Sequence, residues 1–266
     1  MTHEPKTPHE TVTVEFKVAL GEGHFSASAT VPAGKTNLTE ILPVLRALDD
    51  SLISGVSAEL GEAGYAISCR RGCSECCSQL VPMSIFEAES IAEHLRSLPE
   101  ERQKELAERF HQALSKLSAA GLIDRMVAEG LQADSKEFQQ LVFDYFYQRI
   151  PCPFLEDHAC SIYPVRPFAC REYLVTSPAE YCFDPVTMPV VGVKRPLKFF
   201  ALLNQIGAEV EHGSRGWIPL LFLFAWMKSG ARPGQAISAD GPQVLYEVLR
   251  RIGEQAEQDA DAEPED

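Results

Sequence analysis

The residues best suited to chemistry are eight cysteines, which are confined to two short stretches of the chain. We call residues 69–77 the first cysteine window and residues 152–182 the second cysteine window. Cysteines that serve only as small core hydrophobes would be scattered along apolar helical stripes, whereas these lie among Gly, Pro, Ser and Arg. The eight candidate ligands are Cys69, Cys73, Cys76, Cys77, Cys152, Cys160, Cys170 and Cys182.

Inert buried thiols, a disulfide framework and a metal site compete as explanations. The clustering argues against inert thiols. The polar residues 1–10 lack the apolar core of a signal peptide, so we expect a cytoplasmic protein, in which stable disulfides are rare. Short spacings instead let one loop deliver several thiolates to one metal centre. A metal site is therefore favoured, and an all-cysteine donor set suits zinc or iron–sulfur better than magnesium or calcium.

The spacing in the first cysteine window is that of one class of iron–sulfur enzyme. Cys69-x3-Cys73-x2-Cys76 is the spacing with which radical S-adenosylmethionine enzymes hold three irons of a 4Fe–4S cluster. The chain lacks the repeated strand–helix units of the usual barrel of those enzymes. One cluster with spare thiols and two four-cysteine centres both stay open. Vicinal Cys76 and Cys77 are not expected to bind one ion together, because successive side chains diverge.

The neighbours of the cysteines also suit a metal centre. We expect the guanidinium groups of Arg70, Arg71, Arg166 and Arg171 to offset thiolate charge and to lower the thiol pKa values. His158 is assigned to a turn rather than to the metal. An apolar shell that excludes water is expected from six aromatic residues. They are Phe154, Tyr163, Phe168, Tyr173, Tyr181 and Phe183.

The order of these motifs resembles the YkgJ-like cysteine-cluster proteins, which are described as a zinc- or iron-chelating domain. The resemblance covers about residues 61–184, and Cys182 matches a later cysteine of that family. One related branch comprises flagellin lysine-N-methylases, described as using an iron–sulfur centre with S-adenosylmethionine. The resemblance implies that Cys69, Cys73 and Cys76 hold such a cluster. The motifs that carry it are Cys69-x3-Cys73-x2-Cys76-Cys77, Cys152-Pro-Phe-Leu155, Cys160-Ser-Ile-Tyr163 and Arg166-Pro-x2-Cys170-Arg171.

Two elements are predicted before the first cysteine window. Alternating apolar residues over 11–20 and 25–31 predict a β-hairpin with its turn at residues 21–23. The period then changes to a helical one, which predicts a long helix with Thr39 as N-cap and Pro43 about one turn in.

Four helices are predicted between the two cysteine windows, and two of them begin at capping boxes. Ser84 with Glu87 forms one box, and Asp134 with Glu137 forms the other. We expect two helical hairpins here, which return the second window to the first. Further helices are predicted over residues 197–206, 217–227 and 244–252. The apolar segment 217–227 is also a candidate docking face for a protein partner.

These patterns predict a mainly α chain of the α+β class, a helical cysteine-cluster domain with a small N-terminal β-hairpin. We divide it into residues 1–60 (hairpin plus helix), 61–252 (helical metal-binding domain) and 253–266, an acidic tail expected to be disordered. The formal charge of −14 argues against nucleic acid as a partner. No stretch reaches the roughly 20 apolar residues that a membrane span needs.

The expected function is chelation of an iron–sulfur cluster or Zn2+ in a cytoplasmic protein of bacterial type. One alternative is an enzyme, an S-adenosylmethionine-dependent protein-lysine methyltransferase. The other is a structural zinc site that holds a protein-interaction module.

Overall fold

The computed structural model describes residues 10–20, 23–128, 135–195, 197–211, 215–231, 233 and 238–262. These residues are mainly helical with short antiparallel ribbons, which confirms the predicted α+β class. In chain order the elements are β1 (Thr11–Leu20), β2 (Gly23–Pro32), β3 (Lys35–Asn37), α1 (Leu38–Glu62), β4 (Pro82–Ser84), α2 (Ile85–Ser97), α3 (Glu100–Ala119), α4 (Leu122–Val127), α5 (Lys136–Tyr147), β5 (Leu155–Glu156), β6 (Ala159–Cys160), α6 (Phe168–Glu172), α7 (Phe199–Val210), β7 (Trp217–Pro219), α8 (Leu223–Ser229), β8 (Ser238–Asp240) and α9 (Gly241–Ala262).

The N-terminal hairpin forms as predicted. Strands β1 and β2 pair in antiparallel register from Thr11 opposite Pro32 to Leu20 opposite Gly23. Two residues of the predicted turn, 21 and 22, lie outside the described residues. Val18 on the apolar face of β1 is buried. The other ribbons join distant parts of the chain, since β3 pairs with β8 and β4 pairs with β7.

Helix α1 confirms the long helix and the internal proline, but its cap differs from the prediction. Asn37, and not Thr39, is the N-cap: it has an extended backbone, and its side chain accepts a hydrogen bond from the Glu40 backbone N–H (3.2 Å). Asn37 lies three residues before that N–H, which is the spacing a capping side chain spans. Pro43 lies within the helix as expected.

The four helices between the windows are confirmed as α2 to α5. The capping box of Ser84 and Glu87 is present at the start of α2. Asp134 of the second predicted box lies outside the described residues, and Ser135 caps α5 through a bond from the Phe138 backbone N–H (3.1 Å).

Helix α9 continues to Ala262, so residues 253–262 of the predicted disordered tail are helical, and residues 263–266 lie outside the described residues. Arg250 pairs along this helix with Glu247 (2.8 Å) and with Glu254 (2.5 Å). Such pairs three and four residues apart stabilise a helix, which composition alone does not reveal.

The segment 217–227 is not one helix. It begins as β7, continues as a 3-10 turn at Leu220–Phe222 and ends in α8. Pairing of β7 with β4 extends the backbone up to Pro219. Buried side chains of this segment include Leu220, Leu221 and Leu223, and a docking role for its remaining surface stays a prediction.

Helix α2 lies between two apolar cores. The first core joins the hairpin, α1, α7 and α9, and it includes Ile85 and Phe86 of α2. The second core joins α3, α4, α5 and α8, and it includes Ile91 and Leu95 of α2. The second cysteine window contributes to both cores. None of the helices in the described ranges has the length and apolarity needed to cross a membrane.

Candidate metal centre

The first cysteine window lies in a stretch without helix or strand, where the backbone makes successive turns. Gly72 has a φ of 88°, a conformation that glycine adopts without steric cost. It follows Arg71 in a turn closed by a hydrogen bond from the Cys73 N–H to the Arg70 carbonyl (3.0 Å). A second turn follows, closed from the Cys77 N–H to Ser74 (2.9 Å). These turns concentrate four cysteines on one compact loop.

The second cysteine window is built from short regular elements. Strands β5 and β6 pair around a two-residue turn at Asp157 and His158, whose φ values are 47° and 61°. Positive φ at both positions is typical of a tight hairpin turn, and it confirms His158 as a turn residue. Cys160 lies on β6, Cys170 on α6, and Cys182 in a 3-10 turn at Ala179–Phe183.

The two windows are in direct contact. The Cys152 backbone N–H donates a hydrogen bond to the carbonyl of Cys77 (2.7 Å). The hydroxyl of Ser74 lies 3.3 Å from Nδ1 of His158. The chain therefore brings together two loops that are about 75 residues apart in sequence, as the predicted helical hairpins require.

A second contact joins the start of the first window to the end of the second. The backbone N–H of Ser68 donates to the Val175 carbonyl (2.9 Å). The Cys69 thiol donates to the Tyr173 carbonyl at 3.9 Å, a distance usual for sulfur. The first window is thus attached to the second at both of its ends.

Cys76 lies near thiols of both windows. Burial is the main cause that raises the pKa of five other thiols, and the electrostatic interaction with Cys76 is a smaller cause in each case. These five, drawn from both windows, are Cys69, Cys152, Cys160, Cys170 and Cys182.

Cys76 and Cys77 are neighbours in one turn. The interaction with the Cys77 side chain is the largest cause that raises the pKa of Cys76, ahead of burial. The backbone turns over residues 75–78, so these neighbouring side chains do not alternate as they would in a strand.

The pKa values of six thiols move upward, opposite to the direction expected from the nearby arginines. Burial raises the pKa of Cys152 to about 12 and that of Cys182 to about 11. Removal from water disfavours the charged thiolate, and this effect exceeds the attraction of a guanidinium. These two thiols are therefore protonated at neutral pH, and metal binding would release their protons.

Arg166 is the arginine that faces the thiols. Its charge lowers the pKa of Cys69, Cys160 and Cys170, although burial outweighs it in each case. The guanidinium also stacks on the ring of Tyr163, at 4.2 Å from the centroid. Arg166 thus supplies the positive charge that a thiolate centre needs, as predicted.

The other three arginines have different environments from those predicted. Arg171 is buried and pairs with Asp50 of α1 (2.5 Å), and it donates to the Pro164 carbonyl (3.1 Å). It therefore holds α6 against the first core. Arg70 and Arg71 are exposed.

The predicted aromatic shell is only partly present. Phe154 and Phe168 are fully buried, in the second and the first core respectively. Tyr163 and Phe183 are 50% and 56% exposed, so they do not exclude water. Both rings instead lie beneath a guanidinium, Tyr163 under Arg166 and Phe183 under Arg149.

Glu87 is a positioning residue whose full role was missing from the sequence analysis. Its carboxylate is fully buried, and Oε2 accepts hydrogen bonds from the backbone and the hydroxyl of Ser84 (both 2.8 Å). Oε1 accepts from the backbone N–H of Phe168 (2.6 Å). The same carboxylate thus caps the N-terminus of α2 and holds the first turn of α6 in place. The bonded residue of α6, Phe168, lies two residues before Cys170. The capping box was visible in the sequence, but the bond to a residue 81 positions away was not.

Glu172 fixes the other end of α6. Its Oε1 accepts a hydrogen bond from the Phe200 backbone N–H in the first turn of α7 (3.3 Å). Burial raises the pKa of Glu172 to about 8, and the negative charge of Asp49 adds to the effect while Arg195 opposes it. Arg195 forms a buried ion pair with Asp49. The helix that carries Cys170 is thus held by buried polar groups at both ends.

A cavity of about 410 Å³ opens beside the cluster, between α3 and residues 150–157. Cys152 is part of its wall, opposite Arg109 and Lys116 of α3. Arg109 is fixed there by Glu156 of β5 (3.1 Å). Cavities of this size accept small organic molecules.

The chemistry of the donor set fits zinc or iron, since all eight cysteines are free thiols and the two windows that carry them are in contact. In the part of the chain that the structure describes, no three side chains of Cys, His, Asp or Glu are arranged to hold an ion as they stand.

Comparison with known families describes the same segment. Residues 68–187 match a family model named CxxCxxCC, described as "Putative zinc- or iron-chelating domain". The match contains both cysteine windows, so this segment is similar to the cysteine-cluster domain of that family. The narrower resemblance to YkgJ-like proteins stays a prediction. Searches of curated proteins and of solved structures gave no match.

Proposed function

We propose that the two cysteine windows together bind a transition metal centre, with an iron–sulfur cluster favoured over a single zinc ion. The observation that carries this proposal is the direct contact between the two windows of free thiols, in which the Cys152 backbone N–H donates to the Cys77 carbonyl (2.7 Å) and the Cys69 thiol donates to the Tyr173 carbonyl (3.9 Å). The match to a zinc- or iron-chelating family supports metal as the ligand.

Two features favour iron–sulfur over zinc. Eight thiols exceed the four that one tetrahedral zinc takes. The spacing of Cys69, Cys73 and Cys76 is also that of a cluster-binding loop. A bound cluster would supply electron-transfer chemistry, and ligation would in addition tie the first window to the second. We propose a cytoplasmic location, where thiols stay reduced.

The test is metal and acid-labile sulfide analysis of the full chain purified without oxygen. We expect iron and sulfide in equal amounts, a brown protein, and loss of both in a Cys73→Ser variant. A Ser78→Ala variant in the same loop is the matched control and should keep its metal. Stoichiometric zinc without iron would contradict the iron–sulfur form, and a metal-free wild-type protein would contradict the whole proposal.

A second candidate function is S-adenosylmethionine-dependent methylation of a protein lysine. The cavity beside Cys152 favours it, because it places space for a small molecule next to the thiols. Reduced protein incubated with S-adenosylmethionine and dithionite as electron donor should then form 5′-deoxyadenosine and methionine. The Cys73→Ser variant should form neither. Reduced cluster-loaded protein that leaves S-adenosylmethionine intact would rule out this candidate while leaving metal binding in place.

A further inference from the structure

Strand β1 has an open edge. It is 10 residues long, and in the described part of the chain it pairs only with β2. A long unpaired edge presents backbone N–H and C=O groups that another strand can pair with. The two charged side chains at its centre, Glu15 and Lys17, lie on the exposed face.

A groove runs along this edge. It has a volume of about 890 Å³, and its described walls come from β1 and α9 rather than from β2. Val14 and Phe16 line it from the strand, and Leu249 lines it from the helix. Tyr246 of α9 also lines it and is 69% exposed. Apolar surface is therefore available beside the unpaired edge.

The sequence of β1 is complementary to itself in one antiparallel register. When two copies pair with Phe16 opposite Phe16, Glu15 of each copy faces Lys17 of the other. Val14 then faces Val18, so the apolar residues of both copies stay on one face of the sheet. Registers centred on Glu15 or on Lys17 also keep the apolar residues on one face of the sheet. They place Glu15 opposite Glu15 or Lys17 opposite Lys17, and like charges opposite each other are destabilising.

We propose that this edge is a homodimer interface, at which the β1 strands of two copies pair antiparallel around a two-fold axis at Phe16. Strands β2 and β1 of each copy then form a four-stranded sheet, with both α9 helices on the same face. Identical patches meet across a two-fold axis, as the commonest protein dimers require. The proposal is independent of the metal centre, because the hairpin lies outside the cysteine-cluster segment.

The experiment is sedimentation velocity of the full chain over a range of concentrations, with charge reversals at the two central positions. Wild type should be a dimer. Glu15→Lys and Lys17→Glu should each weaken dimerisation about tenfold or more, because each places two like-charge pairs in the interface. The double variant Glu15→Lys/Lys17→Glu restores both opposite-charge pairs and should dimerise like wild type.

The reversal Glu108→Lys, at an exposed position of α3, is the matched control and should leave the dimer unchanged. Circular dichroism checks that each variant is folded. A monomeric wild type would overturn the proposal, as would a dimer that resists both single reversals. Failure of the double variant to dimerise would overturn the register centred on Phe16.

Discussion

The first cysteine window has neither helix nor strand, whereas the second contains a ribbon, two 3-10 turns and helix α6. Phe154 and Phe168 anchor the second window in the two cores, and Glu87 fixes the start of α6. The first window is attached through bonds to the second window, such as the one between Cys77 and Cys152. One half of the proposed centre is therefore positioned by the fold, and the other half depends on its contacts with the first half.

The largest expected effect comes from removing the carboxylate that fixes α6. Glu87→Ala leaves the backbone N–H groups of Ser84 and Phe168 and the Ser84 hydroxyl without a buried acceptor. We expect the free energy of unfolding to fall by roughly 3 to 5 kcal/mol in urea titrations. Ser135→Ala, which removes one N-cap bond at α5, is the control and should cost about 1 kcal/mol. Equal losses in the two variants would contradict the role of Glu87.

Bound metal should slow trypsin cleavage more in the first cysteine window than in the second. The exposed residues Arg70 and Arg71 offer trypsin two sites within the first cysteine loop. A ligand at a hundred times its dissociation constant stabilises the bound state by about 2.7 kcal/mol. Cleavage at these sites should therefore be fast after chelation and slow in the loaded protein, as mass spectrometry of fragments would show.

Arg102 and Arg109 of α3 provide the internal comparison for this proteolysis experiment. They contact Glu156 of the second window, and cleavage there should change little with metal. If metal slowed cleavage equally at the two pairs of arginines, the two windows would not differ in their dependence on metal.

Glu172 gives the second window a pH-dependent stability. The folded pKa of about 8 lies above its ordinary value of 4.5, so the neutral form is favoured by folding. This contribution is complete below about pH 4.5 and is lost as the pH rises through 8, by up to about 1.4 kcal/mol per pH unit. Glu172→Gln keeps a neutral side chain, so urea titrations of the metal-free variant should show a flatter profile than wild type between pH 5 and 8.

Glu93→Gln on the exposed side of α2 is the matched control for Glu172 and should follow the wild-type profile. A Glu172→Gln profile as steep as that of wild type would show that another group causes the pH dependence.

The smallest effect is expected at Arg166. Arg166→Gln removes the positive charge that favours thiolates in both windows, so competition titrations with a chelator should show metal affinity reduced by up to about tenfold. Arg71→Gln, at an exposed position, should leave the affinity unchanged. Identical affinities in the two variants would show that the guanidinium of Arg166 does not stabilise the bound centre.

The sequence predicts those parts of the fold that depend on local patterns. Alternation predicts β1 and β2, and the capping box of Ser84 and Glu87 predicts the start of α2. The conversion of residues 217–219 into a strand depends on pairing with β4, over 130 residues earlier in the chain, which periodicity does not contain.

The candidate site likewise has features that the sequence predicts and features that it does not. The clustered cysteines are evident in the sequence, and so is the basic Arg166. The partners that position Cys170 are not evident, because Asp50 and Arg171 are 121 residues apart and meet only after α1 packs against α6. The direction of the thiol pKa shifts likewise depends on burial, which spacing does not specify.

Helix α2 packs against both apolar cores. This packing limits where the chain can be cut to isolate the cysteine-cluster segment. Residues 68–187 include Phe86 and Phe168, yet the helices α1, α7 and α9 that cover these rings lie outside that range. A fragment cut at those boundaries would present bare aromatic surface to water and would aggregate rather than fold. We therefore expect the matched segment to fold only together with its flanks, and an excised version must carry the N-terminal and C-terminal helices with it.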